Sequence, residues 1–90
     1  MNRTLRSAGH RALMDALKTA RLEAGLTQTE VAQRLKRPQS FVAKYENGER
    51  KIEVVELAHI ARAIGCSAYG VLEKVESAEF KKSKQLNAYR

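Results

Sequence analysis

The stretch SFVAKYENGER, residues 40–50, sets Lys44, Tyr45, Glu46 and Asn47 directly before Gly48. An ammonium, a phenol, a carboxylate and an amide on the last turns of one short helix cannot all face the same way. With Gln39 ahead of the stretch and Lys51 after it, the segment is rich in donors that suit a polyanion. The 90-residue chain carries a formal net charge of +7, which points the same way: nucleic acid first, a membrane surface as the weaker option. Catalytic chemistry finds little support. His10 and His59 stand far apart, without a carboxylate or cysteine at metal-ligand spacing, and no glycine loop of the phosphate-cradling kind occurs. The chain is therefore expected to be no enzyme and to need no metal and no cofactor. Cys66 is the single cysteine, so an internal disulfide is excluded. Beside Ile64 and Gly65 it reads as a small core residue.

The elements that must position these donors follow from periodicity. Leu13, Ala16, Leu17, Ala20 and Ala24 recur at helical spacing between about 7 and 24, and Gly25 suits the C-terminal cap. Thr27 stands three residues before Glu30, the spacing of a capping box, so a short second helix is expected over about 28–35 with Val31, Ala32 and Leu35 inward. Pro38 fits a first turn, and a third helix should run over about 38–47, burying Val42 and Tyr45 and stopping at Gly48. A fourth begins at Glu53, with Val54, Leu57, Ala58, Ile60, Ala61 and Ile64 inward and Gly65 as its stop. A fifth opens at Ser67 and carries Val71, Leu72 and Val75. Period-two alternation is absent, which predicts an all-α chain. From Glu76 the apolar content falls and the run KKSK appears, as expected of a solvated tail, helical at first and then frayed. Ninety residues suffice for one small domain. Neither a signal peptide nor a span of about 20 apolar residues is found, so the expected location is cytoplasmic.

Two short helices joined by a tight turn, in a basic all-helical domain, resemble the Cro and phage-repressor type of helix-turn-helix proteins, the XRE-like family. The segments LKTAR (17–21), GLTQTEVAQRL (25–35), QSFVAKYENGER (39–50) and VVELAHIARAIGCSAYGVL (54–72) carry the likeness in the family's order. The resemblance implies a compact five-helix, lambda-repressor-like DNA-binding domain over residues 13–75, its helix-turn-helix at the second and third helices. Residues 1–12 would be an N-terminal arm or an extension of the first helix, and 76–90 a short basic C-terminal tail. It also implies a sequence-specific transcriptional regulator, a repressor, that reads the DNA major groove with its third helix as a homodimer on a pseudo-palindromic site. The alternative is an antitoxin-like module that binds a protein partner through 76–90 as well as its own operator.

Residue by residue, the family's base-edge positions fall on Gln39, Ser40 and Lys44, with Phe41 available to touch a thymine methyl group or else to join the core. Phosphate contacts fall on Gln28 and Asn47, with Arg50 and Lys51 beside the same strand. The resemblance also pairs Glu46 with Arg21 away from the DNA, a structural ion pair that removes the acidic charge from the interface. A dimer contact is expected on the fifth helix, from Tyr69, Val71, Leu72 and Val75. One departure stands out: where the family carries glycine between the second and third helices, this chain has Lys36. A left-handed lysine costs about 1–2 kcal/mol, so a differently shaped or lengthened turn is the expectation there.

Overall fold

The computed structural model describes residues 7–81. The part of the expected N-terminal arm at residues 1–6 and the part of the expected tail beyond 81 lie outside the described residues. Five helices follow one another: α1 (Ala8–Glu23), α2 (Gln28–Leu35), α3 (Gln39–Glu46), α4 (Val54–Ile64) and α5 (Ala68–Glu79). No strand occurs among the described residues. The chain is all-α, as the missing alternation predicts.

Local chemistry sets the boundaries. Ser7, Thr27 and Ser67 each accept a hydrogen bond from the backbone amide three residues on, and Glu30 reaches back to the Thr27 amide to complete the capping box. At the other ends α1, α2 and α3 finish in the same Schellman geometry. After α1 the amide of Leu26 reaches the carbonyl of Arg21; after α2 that of Arg37 reaches Ala32; after α3 that of Glu49 reaches Lys44. That geometry needs a left-handed residue. Gly25 supplies it after α1 and Gly48 after α3, where a side chain would also run into the Met14 sulfur of α1, 2.7 Å from the position of a Cβ.

After α2 the left-handed residue is Lys36, at φ 58° and ψ 42°. The turn is thus neither reshaped nor lengthened by the missing glycine. It keeps its geometry, and the lysine bears the strain between Cβ and the following carbonyl oxygen. Lys36→Gly is therefore expected to raise stability by about 1 kcal/mol, the relief being partly offset by the looser unfolded chain. Thermal unfolding reads this out; a Tm no higher than that of the wild type would mean that the lysine is not strained.

Leu17, Val31, Val42, Tyr45 and Ile60 are the large side chains with essentially no exposed surface, one or more from each of α1 to α4, and Val71 of α5 joins the same cluster. The most extensive pairing is between α1 and α5. It is tied at one end by Glu79, whose carboxylate accepts from the Gly9 amide at 2.7 Å. A carboxylate at the positive end of α1 stabilises both the open amides and the helix dipole there. On α4 the inward face is narrower than the sequence suggests. Leu57, Ile60, Ala61 and Ile64 pack, whereas Val54 and Ala58 are exposed. Val54 lies in the first turn, which overhangs the core, and Ala58 sits on the outer side of the helix.

Candidate nucleic-acid interface

A turn of 100° per residue divides α3 into two faces. Phe41, Val42, Tyr45 and Glu46 are buried, while Ser40, Lys44 and Asn47 recur at i, i+4 and i+7 along the exposed side. Asn47 is the C-terminal cap, and the exposed Lys51 follows in the loop. Pro38 offers α3 no side-chain cap, so the first amides of this helix are left open beside Gln39 and Ser40.

Behind that face lies a hydrogen-bonded chain that begins in the core. Arg21 Nε donates to Glu46 Oε2 at 2.7 Å and Arg21 Nη2 to Glu46 Oε1 at 3.0 Å. The two side chains are only 8% and 2% exposed. The arginine also donates to the Leu26 carbonyl at 2.9 Å. The hydrogen bond to Glu46 is the main reason its guanidinium is held even more firmly protonated than usual. Gln28 Nε2 donates to Glu46 Oε1 at 2.9 Å, and Gln39 Nε2 donates to Gln28 Oε1 at 2.7 Å. A carboxylate only accepts, so Gln28 must present its NH2 group to Glu46 and its oxygen to Gln39. That in turn requires Gln39 to donate. Its own Oε1 and one N–H are left for the exposed side. The charge of Glu46, neutralised in the interior, thereby fixes the orientation of an amide at the start of α3.

Several expected contacts are placed elsewhere. Phe41 is 6% exposed and lies in the core, its ring edge-on to Tyr45 at a centroid distance of 5.5 Å. It is not available to a thymine methyl group, because one residue of helical rotation carries it from the Ser40 side to the Tyr45 side. Arg50 is not an unpaired phosphate clamp. Its Nη1 and Nη2 donate to both oxygens of Glu56 at 2.8 and 2.9 Å, and its guanidinium stacks over Phe41 at 4.7 Å. Gln28 is turned toward Glu46 and Gln39. On α5, Val71 closes the monomer core and is not free for a dimer contact, because it faces α1. Tyr69, 84% exposed, and Leu72 remain on the outer surface, with Val75 half-buried. The two-glutamine chain and the Arg50–Glu56 pair have no regular spacing that a reading of the sequence could have used.

A short helix backed by a second one, joined by a Schellman turn, with a polar exposed stripe and an internally neutralised carboxylate, defines a helix-turn-helix domain. A family model described as helix-turn-helix matches residues 17–71. Among solved structures, an XRE-family like protein from Pseudomonas syringae pv. tomato str. DC3000 is 48% identical, with 83% of this chain and 92% of that one covered and a TM-score of 0.75. The clp gene regulator ClgR from C. glutamicum is similar at 26% identity and TM-score 0.70, with 77% and 90% covered. A second structure of ClgR, 24% identical with TM-score 0.71 and 91% and 87% covered, shares the fold. Among curated proteins, no sequence matches the chain. The chain belongs to the helix-turn-helix family of the Cro and phage-repressor, XRE-like, type, and it is a DNA-binding transcriptional regulator.

Proposed function

We propose that this regulator is a cytoplasmic repressor that reads the major groove with α3 as a homodimer and acts by binding alone, without catalysis. The observation that carries this reading is the exposed stripe Ser40, Lys44 and Asn47 beside a Gln39 whose amide orientation is fixed from the core. A helix of this length fits the major groove, where lysine reaches guanine O6 and N7 and glutamine pairs with adenine. Asn47 and Lys51, past the end of the helix, are positioned to meet phosphates. One α3 spans too few base pairs to single out a site, so two copies are needed, and the exposed Tyr69 and Leu72 on α5 supply an apolar surface for the second. No helix among the described residues is long and apolar enough to cross a membrane.

Selection of bound duplexes from a random pool tests the reading. Two half-sites related by inversion, about 34 Å apart, are the signature of the homodimer, whereas a lone half-site bound one-to-one would exclude it. On the selected site Lys44→Ala is expected to cost about 1–3 kcal/mol and to relax preference at one base pair, while Asn47→Ala weakens all duplexes about equally. Equal losses on selected and random DNA for Lys44→Ala would remove it from base reading.

A further inference from the structure

Glu56, on α4, joins the two flanks of the recognition helix. It holds Arg50, past the end of α3, through two hydrogen bonds of 2.8 and 2.9 Å, and lies 3.9 Å from Nη1 of Arg37, ahead of α3. Both guanidiniums stack over the same ring, Arg37 at 4.0 Å and Arg50 at 4.7 Å from the centroid of Phe41. The carboxylate is the least exposed member of the trio, its side chain 17% exposed against 43% for Arg37 and 35% for Arg50. Arg37 and Arg50 also line the surface recess that contains Ser40 and Lys44. Two cations thus flank the exposed side of α3, held on one ring and sharing one anion behind it.

We propose that Glu56 is a specificity residue for DNA binding and that Arg37 and Arg50 form a phosphate-binding pair whose grip it limits. Without Glu56 the pair would present two full charges to any duplex backbone, a grip that carries no sequence information. With it the trio has a net charge of one, and a phosphate must compete with a carboxylate already seated on Arg50. Tight binding then depends on the base-edge contacts of α3. The stacking on Phe41 holds both planar guanidiniums in place, while Arg50 already donates Nη1 to Glu56 and to the Lys51 carbonyl and Nη2 to Glu56. This inference rests on the DNA-binding reading.

The test is a titration of the full chain against its selected site and a random duplex of equal length, between 50 and 200 mM salt. Glu56→Gln keeps an oxygen for the Glu53 amide that Glu56 now receives at 3.0 Å, so the start of α4 is preserved. One more effective cation steepens the salt dependence by about 0.9 in log–log slope, so across this fourfold range Glu56→Gln should lose about 3-fold more affinity than the wild type. The random duplex gains most at 50 mM, and the ratio of selected to random affinity narrows. Glu56→Asp, which keeps the charge, should restore the wild-type slope. Arg37→Gln should move the slope the other way. A folded Glu56→Gln protein with wild-type slope, or an equal loss on both duplexes, would overturn the assignment; so would an unchanged slope for Arg37→Gln, which decides the matter even where Glu56→Gln does not fold. A wild-type protein that prefers no duplex at all would refute DNA recognition itself, a result distinct from failure of Glu56 alone.

Discussion

Glu46→Ala is expected to cost about 3–5 kcal/mol of folding stability, since it strands the Arg21 guanidinium in the core. Arg21 is 8% exposed at its side chain and would keep only the Leu26 carbonyl as a partner. A domain of this size has about 5–15 kcal/mol in total, toward the lower end, so the variant should approach complete unfolding. In urea, at about 1 kcal/mol per molar for a small protein, the midpoint should fall by about 3–5 M. The double variant Arg21→Met, Glu46→Leu separates an unpaired charge from lost packing, because an apolar pair of similar volume should recover much of the loss. If Glu46→Ala instead costs well under about 1 kcal/mol, the pair behaves like an exposed one and the buried reading fails. Damage should also extend to DNA, since Glu46 dictates which way Gln28 and Gln39 turn their amides. Glu46→Gln is a further check. Its own amide can turn either way, so Gln28 is no longer forced, and the variant should lose DNA preference beyond what its stability loss explains.

The pattern of what was legible in the sequence follows from how local each cause is. Helix starts and stops depend on neighbours within four residues. Ser7, Thr27, Ser67, Gly25, Gly48 and Gly65 therefore mark the boundaries that the structure has, to within a residue or two. Lys36 shows the limit of that logic. The local preference against a left-handed lysine is worth about 1–2 kcal/mol, less than the packing of α2 and α3 against one another can impose. Tertiary demand prevails, and no propensity scale contains it. The faces of helices are legible only as far as one knows what each face meets. Val54 has the right spacing to point inward and is exposed, because the core ends before the first turn of α4.

The polar contacts divide in the same way. The Arg21–Glu46 pair is legible through a family resemblance and not through spacing, as the two residues are 25 apart in sequence. The Glu56 cluster is not legible in the sequence. Its members sit on the linker before α3, the loop after it and the first turn of α4, and nothing in the order of residues 37, 50 and 56 announces a shared carboxylate. Residue type and position after the recognition helix suggest Arg50 as a phosphate ligand; they do not reveal that an acidic residue six positions on already holds its guanidinium, so that a phosphate has to compete for it. Residue type indicates what a side chain is able to bind, and only the fold decides what is within reach.

Phe41→Ala is expected to cost about 3–5 kcal/mol of stability, which makes Phe41 a structural residue of the interface and not a reader of it. The ring fills core space against Tyr45, an edge-to-face contact that itself adds about 0.5–1.5 kcal/mol to the burial. It also forms the platform on which Arg37 and Arg50 rest, so the truncation frees both guanidiniums. A thymine-methyl contact predicts the opposite pattern: stability near that of the wild type, with preference lost at one base pair. Urea unfolding together with binding to the selected and random duplexes distinguishes them. Phe41→Leu sharpens the comparison, because it keeps most of the apolar volume while removing the aromatic face. It should recover much of the stability but leave the two arginines without their shared stack, at about 0.5–1 kcal/mol for each exposed cation–π contact. A leucine variant that is stable, holds its preference at every base pair and yet grips random DNA differently would place Phe41 in the support of the phosphate-binding pair. A leucine variant that loses one base preference while remaining fully stable would return the residue to the reading face and contradict its burial.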